Sequence, residues 1–250
     1  MPASLVVPAY VTAGLLLALA NGVASPTMQG VIYHLVGVAA PLAILLGVSV
    51  YRPGRGLHWY LIAGGAGLTA VGDFLWDAYG WFGVAVPFPS VADVVYLLGY
   101  AFLVAGLLVI NRRTQAARGR DLLDAAILAS AALLVLYVFL IGPTIDSGDT
   151  VLARATAAAY PIMDSLLLVV LVPIALARAR NVSLALLLGF AALTCVTDLI
   201  YGLQMLHGTY VSGGWLDSGW VLASALLGAS ALHPSMRESA TPLPRREWDD

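Results

Sequence analysis

The chain has 250 residues, of which 60% are hydrophobic and 10% are charged, a formal net charge of −2 and a mean hydropathy of +0.90. Several apolar stretches could cross about 30 Å of hydrocarbon as helices and lack the alternating period of barrel strands, so the composition excludes a soluble single-core protein and predicts an all-α polytopic membrane protein. The absence of lysine excludes a retinal Schiff base, and the single cysteine, Cys195, excludes an intrachain disulfide and paired-thiolate metal sites.

Eight transmembrane helices are predicted, separated by turn-rich polar segments such as "RPGRG" and "NRRTQAARGR". The N-terminal sequence "MPASLVVPAY" lacks a basic region and a signal-peptide cleavage site, so we expect it to begin the first span. The transmembrane domain is expected to cover residues 1–236, and residues 237–250 to form a charged cytoplasmic tail or linker. In chain order, the predicted spans are 4–22, 30–51, 57–80, 91–111, 121–141, 151–177, 182–206 and 213–232.

Arginine is distributed unevenly between the two sides of this predicted bundle. Only Arg154 lies on the side reached by the odd-numbered spans. The positive-inside rule therefore predicts a plasma (inner) membrane protein, multi-pass, with both termini in the cytoplasm. The other arginines follow spans two, four, six and eight: Arg52, Arg55, Arg112, Arg113, Arg118, Arg120, Arg178, Arg180, Arg237, Arg245 and Arg246.

The two halves of the chain, about 1–112 and 121–236, resemble each other. At an offset of 125, "LIAGGAGLTAVGD" lies over "LLLGFAALTCVTD", which matches Asp73 with Asp198. At an offset of 124, "DVVYLLGYAFLVAGLL" lies over "DSGWVLASALLGASAL", which matches Tyr96 with Trp220. A duplicated unit of four spans keeps its orientation, so we predict a 4+4 repeat about an axis along the membrane normal. Asp73 and Asp198 could then face one another across this axis and share a proton.

Carboxylates and aromatic side chains share helix faces in the outer half of the predicted bundle. Ionisable residues inside a span are costly and usually face a protein interior or a wet cavity. Helical spacing places Asp73, Trp76 and Asp77 on one face, and Tyr160 and Asp164 on another. The sequence therefore predicts an outward-facing pocket that binds a small ligand or ion, without catalytic or metal-binding residues. The predicted ligand-binding residues are Asp73, Trp76, Asp77, Tyr96, Tyr160, Asp164, Asp198 and Tyr201.

Other polar residues have structural interpretations. Asp93 and Asp217 fall in the first turns of their spans, where capping explains a carboxylate. The four histidines show no metal-ligand spacing, and Asp121 and Asp124 have no assigned role. Interhelical hydrogen bonding alone remains an alternative for Asp73, Asp164 and Asp198. An interfacial aromatic belt would account for Trp81, Trp215 and Trp220.

One resemblance covers essentially the whole chain. The segments "GDFLWD", "FPSVADVVYLLGY", "AYPIMDSLLL", "VTDLIYG" and "SALHPSMRES" resemble the N-terminal membrane sensor region of actinobacterial signalling proteins, with "ALHPSM" the most specific. In that family the cytoplasmic part is a GGDEF/EAL diguanylate cyclase and phosphodiesterase of cyclic di-GMP signalling, or a histidine kinase. The resemblance implies a sensory domain that signals to such an output module in cis or in trans. It does not imply catalysis within this chain.

Two other functions remain open. "VGD" in span three and "VTD" in span seven are similar to the YhhN lysoplasmalogenase family, which implies a membrane hydrolase of lysolipids that uses paired aspartates. A small-solute transporter is the third class, because same-orientation repeats and proline-broken helices occur in transporters. The expected partners are the lipid bilayer and an unidentified small ligand or ion, and the sequence is compatible with a homodimer. Motifs for nucleic acid, nucleotide or haem are absent from the sequence, and it identifies no cofactor.

Overall fold

The computed structural model is all-helical over the residues it describes, namely 3–54, 56–114, 142–145, 150–177, 180–241 and isolated positions between 127 and 138. A 3₁₀ helix, Pro234–Glu238, follows the last α-helix. Most of predicted span five lies outside the described residues, as do Asp121 and Asp124. The α-helices are α1 (Ala3–Asn21), α2 (Pro26–Tyr51), α3 (Leu57–Trp81), α4 (Val91–Thr114), the short α5 (Gly142–Ile145), α6 (Val151–Ala177), α7 (Val182–Leu206) and α8 (Asp217–Ser230).

Local sequence accounts for the helix ends. Asn181 caps α7, since its side chain accepts a hydrogen bond from the backbone N–H of Leu184 at 3.0 Å. The helix α8 begins four residues later than the predicted span, at Asp217, because the glycines before it form a turn. Gly213 there has φ of 80°, a left-handed conformation that glycine adopts without strain.

Six helices form a closed ring. Around it, α2 packs against α3, α3 against α4, α4 against α6, α6 against α7, α7 against α8, and α8 against α2. The helix α1 packs outside the ring against α8 and α2. The helices α3 and α4 approach closely at Gly65. A Cβ atom there would lie 2.8 Å from the carbonyl oxygen of Gly99, so this contact requires glycine.

The two ends of the ring differ. At the end that we call the closed end, the 3₁₀ helix covers a packed apolar layer that contains Trp59, Leu171 and Met236. The indole N–H of Trp59 donates to the carbonyl of Met236 at 3.2 Å, and the Tyr51 hydroxyl donates to the carbonyl of Leu232 at 2.9 Å. The opposite end, the cavity end, contains the polar side chains described below.

Four helices, α2, α4, α6 and α7, are long and apolar enough to cross a bilayer. The 25-residue α3 does not reach the same apolar composition, and α8 has only 14 residues. Large apolar side chains such as Leu42, Leu46 and Val94 are exposed on the outside of the ring. These features indicate that the chain is a membrane protein.

Candidate functional site

A cavity of about 510 Å³ lies at the cavity end, where α2, α4, α6 and α8 begin and α1, α3 and α7 finish. Its volume is within the range of small-molecule sites. Leu103 and Phe190 form its floor, because they also line the packed apolar layer beneath it. All eight residues predicted from the sequence to bind a ligand line this one cavity: Asp73, Trp76, Asp77, Tyr96, Tyr160, Asp164, Asp198 and Tyr201.

Tyr100 joins two carboxylates from different helices. Its hydroxyl oxygen lies 2.7 Å from Asp164 Oδ1 on α6 and 2.6 Å from Asp198 Oδ2 on α7. A tyrosine hydroxyl has a single proton, so it can donate to only one of these oxygens. The other contact is a hydrogen bond only if that carboxyl group is protonated and donates to the hydroxyl. The geometry therefore fits a pair of aspartates that share one proton.

An equivalent hydrogen bond occurs on either side of the ring. Between α4 and α3, the Tyr96 hydroxyl donates to Asp73 Oδ1 at 2.8 Å. Between α8 and α7, the Trp220 indole N–H donates to Asp198 Oδ1 at 2.6 Å. In both cases an aromatic side chain near the start of one helix holds an aspartate in the preceding long helix.

Asp93 and Asp217 combine capping with contacts in the cavity wall. Asp93 Oδ2 accepts from the backbone N–H and the hydroxyl of Ser90, which is half of a capping box, and Asp93 Oδ1 accepts from Tyr160 at 2.7 Å. Asp217 accepts from the backbone N–H of Gly213 at 2.7 Å and from Tyr210 at 3.0 Å. Burial, and then the negative charge of Asp217, raises the pKa of Tyr210, so this loop hydroxyl remains a donor.

Asp77 has a different partner at the edge of the site. Its Oδ2 atom lies 2.9 Å from His34 Nε2, and the His34 ring stacks on Phe74 with 4.0 Å between ring centroids. The Asp77 side chain is 39% exposed, whereas Asp73 is 8% exposed. Asp77 therefore belongs to the accessible rim, and Asp73 to the buried wall.

Sequence reasoning missed the central role of Tyr100 and misassigned Trp220. Trp220 lines the cavity and bonds Asp198, whereas Trp81 and Trp215 are exposed as the interfacial interpretation expects. The match of Trp220 with Tyr96 in the proposed repeat was the signal that could have identified it. The carboxyl group bridged to Asp198 is that of Asp164, through Tyr100, and not that of Asp73 as predicted, since Asp73 bonds Tyr96.

Within the part of the chain that the structure describes, no group of three His, Cys, Asp or Glu side chains is arranged to hold a metal ion. Cys195 is a free thiol whose Sγ lies 3.6 Å from the carbonyl oxygen of Asp164. Comparison with protein-family models, with curated proteins and with solved structures finds no match to this chain.

Proposed function

We propose that this chain is a membrane-embedded sensory domain that binds a small ligand or ion in the cavity and signals through its closed end. One observation carries the proposal. The cavity-lining helices α2, α3 and α7 are the same helices whose opposite ends hydrogen-bond the C-terminal segment around Pro234–Glu238. A ligand that changes the packing of these helices at one end would therefore act on the C-terminal segment at the other.

The C-terminal segment is held by side chains from several helices. Asn181 Nδ2 donates to the carbonyl of Ser235 at 3.0 Å, and the Ser235 hydroxyl oxygen accepts from the backbone N–H of Ser183 at 3.0 Å. His58 Nε2 and Ser239 Oγ are hydrogen-bonded at 3.2 Å, and both side chains are buried. These residues surround the end of "ALHPSM", the most specific segment of the family resemblance. The segment is thus suited to carry a change in helix packing toward an output module.

We place eight spans in this domain, as a 4+4 repeat. Asp93 on α4 and Tyr160 on α6 meet at the cavity, so the N-terminal parts of both helices lie at the cavity end, and the 24-residue α4 ends at Thr114 about 36 Å away at 1.5 Å per residue. Thr114 and Val151 thus lie toward opposite ends of the ring, which supports the proposed span within 121–141. The four-residue α5 (Gly142–Ile145) is too short to cover this distance.

The ring of helices supports the repeat. In the proposed repeat, α2, α3 and α4 correspond to α6, α7 and α8. The α2–α3 contact then corresponds to α6–α7, the α3–α4 contact to α7–α8, and the α8–α2 contact to α4–α6, and all of these contacts occur. The hydrogen bonds of Tyr96 with Asp73 and of Trp220 with Asp198 follow the same correspondence. Such agreement between sequence offset, helix packing and side-chain pairing favours duplication over chance similarity.

The proposed partner is a cytoplasmic output module, in cis or in trans, of the GGDEF/EAL or histidine-kinase type that the resemblance implies. The arginines at the closed end, including Arg52, Arg113 and Arg237, support a cytoplasmic location of this end. With that orientation the cavity end faces outward and both termini are cytoplasmic. The continuous apolar layer below Leu103 and Phe190 favours a sensor over a transport path.

A membrane hydrolase is the second candidate. The Tyr100-bridged Asp164 and Asp198 support it, because a carboxylate pair that shares one proton can supply both an acid and a base. The purified protein would then hydrolyse a lysolipid vinyl ether and lose this activity on Asp198→Asn. No turnover by the parent protein would exclude this candidate.

Filling the cavity tests the sensory proposal. Gly30 lines the cavity and a Cβ atom there would meet nothing within 4 Å, so Gly30→Trp introduces bulk without a backbone clash. Gly67→Trp is the matched control, because Gly67 is also helical and unobstructed but does not line the cavity. We expect ligands found by a thermal-shift screen of the full chain to bind the parent and Gly67→Trp but not Gly30→Trp. Equal binding by all three proteins, or no ligand at all, would overturn the proposal.

A further inference from the structure

The charges of the cavity wall have one sign. Six aspartates line the cavity, at positions 73, 77, 93, 164, 198 and 217, and the lining residues that the structure describes include no lysine, arginine or histidine. The Tyr100-bridged pair fits one shared proton, and aspartate is the residue type that supplies the formal charges of the described lining. A ligand that enters this cavity meets carboxylates and aromatic rings rather than any cationic side chain.

Most of these carboxylates already have partners. Asp93, Asp198 and Asp217 have hydrogen-bond contacts on both oxygens. Asp164 Oδ1 contacts Tyr100, and Asp77 Oδ2 contacts His34. Each of these five side chains therefore has at least one oxygen bonded to another residue of the fold.

Asp73, Asp77 and Asp164 each keep one oxygen that receives no hydrogen bond from a described residue, and of these three only Asp73 is both buried and outside the Tyr100-bridged pair. It is 92% buried, its Oδ1 accepts from Tyr96, and its Oδ2 receives no hydrogen bond from any residue that the structure describes. This oxygen is an acceptor on the cavity wall that the described residues leave unfilled, so it can take a donor from outside the chain. A second buried acceptor on the cavity lining, Asn21 Oδ1, also lacks a donor among the described residues.

The cavity is too large for a bare ion, and the described residues contain no three-ligand metal group. Its volume of about 510 Å³ instead fits an organic molecule. Aromatic side chains that line it, including Tyr33, Trp76 and Phe88, supply the ring surfaces that bind organic cations. A protonated amine combines a positive charge, a hydrogen-bond donor and apolar substituents.

We propose that the cavity binds a small organic cation, a protonated amine with apolar or aromatic substituents, whose ammonium group donates to Asp73 Oδ2. This inference rests on the proposed ligand-binding function and assigns its ligand class. Asp73 is the charged recognition group. The bonded network around Tyr100 is the rigid wall against which the apolar part of the amine packs.

Binding of two probes to the purified full chain in lipid nanodiscs tests the ligand class. The probes are 2-phenylethylamine, which is a cation at pH 7, and 2-phenylethanol, which has nearly the same shape without charge. We expect calorimetry to show that the amine binds about tenfold or more tightly than the alcohol. Equal affinity for the two probes, or binding of neither, would overturn the cation inference even in the parent protein.

Two substitutions locate the charge contact. We expect Asp73→Asn to weaken amine binding about tenfold and to leave alcohol binding unchanged, because it removes the charge from the unfilled acceptor. Asp77→Asn is the matched control, since it removes a carboxylate from the same lining whose Oδ2 is already bonded to His34, and it should change amine affinity less than about threefold. A similar loss in both variants would contradict a specific role for Asp73.

The cavity-filling pair separates the two proposals. If amine and alcohol bind equally and both fail to bind Gly30→Trp, the ligand class is wrong and the ligand-binding cavity stands. If the amine binds parent and Gly30→Trp equally, both the ligand assignment and the cavity proposal are contradicted, because binding then occurs elsewhere.

Discussion

Asp73 and Asp198 occupy corresponding places in α3 and α7, and their surroundings differ. Each accepts a hydrogen bond from an aromatic side chain of the next long helix, Tyr96 or Trp220. Asp198 has in addition the Tyr100 hydroxyl, and through it Asp164. Asp73 has no second donor among the described residues. The comparison teaches that one aspartate is fixed by the fold, while the other keeps an unfilled acceptor, which we propose binds a ligand.

The difference has a simple origin in the sequence. At the offset of 124, Tyr100 corresponds to Ser224, and at the offset of 125, Asp164 corresponds to Ala39. In the proposed repeat, Asp73 thus has a short hydroxyl and a methyl group at the positions where Asp198 has a phenol and a carboxyl group. In the proposed repeat, these two differences in side chain distinguish the filled site from the open one.

The largest effect on stability is expected from removing the bridging hydroxyl. Tyr100→Phe leaves Asp164 and Asp198 close together without the proton donor between them, so we expect a loss of about 2 kcal/mol in the free energy of unfolding. Tyr160→Phe, which loses one bond to Asp93, should cost about 1 kcal/mol. Unfolding in mixed detergent measures both. Equal losses would show that Tyr100 is an ordinary single hydrogen-bond donor.

A smaller effect should distinguish the two aspartates directly. Asp198→Asn loses an acceptor oxygen that Tyr100 or Trp220 needs, and we expect a cost of about 1.5 kcal/mol. Asp73→Asn keeps a carbonyl oxygen for Tyr96, so its cost should stay below about 0.5 kcal/mol. The same unfolding measurement, made without ligand, compares the free energies of unfolding of the two variants. If Asp73→Asn is the more destabilising variant, Asp73 is part of the structural network.

Double-mutant cycles sharpen the same comparison at the level of single contacts. We expect a coupling of about 1 kcal/mol between Tyr100→Phe and Asp198→Asn. For Tyr96→Phe with Asp73→Asn we expect about 0.5 kcal/mol, because Asp73 has one oxygen free of the network. Couplings in the reverse order would contradict the distinction between a filled and an open site.

The smallest effect is expected at the closed end. Ser235→Ala removes a side chain that bonds Asn181 and the backbone of Ser183, and it should destabilise the bundle by about 0.5–1 kcal/mol. Ligand affinity in the cavity should change less than about threefold, since the cavity walls are intact. Proteolysis around Pro234–Glu238 should become faster in this variant. Unchanged proteolysis would argue against a bonded C-terminal segment.

Helix positions were largely predictable from the sequence, because apolar length and turn residues act locally. The bounds of α6 and α7 agree with the predicted spans 151–177 and 182–206, and Asn181 explains the break between them. The start of α8 was predicted four residues early, since a glycine turn within "VSGGW" keeps the chain outside the helix.

The residues that line the cavity were also predictable from the sequence, whereas their hydrogen-bond partners were not. Helical spacing identified carboxylate and aromatic faces, and the repeat aligned Asp73 with Asp198. Tyr100 bonds Asp164 and Asp198 across three helices, and such contacts depend on packing that no spacing along one helix specifies. Symmetry suggested an Asp73–Asp198 pair, whereas the side chains at Ser224 and Ala39 break that symmetry.

The distance between spin labels at Gly54→Cys and Glu238→Cys, in a Cys195→Ser background, tests the link between cavity and closed end most directly. Both labelled positions lie at the closed end, one after α2 and one at the end of the 3₁₀ helix. We predict that filling the cavity with Gly30→Trp changes the distance distribution, while Gly67→Trp leaves it equal to that of the parent. The same distribution in all three proteins would contradict a sensory domain that signals from the cavity to its C-terminal segment.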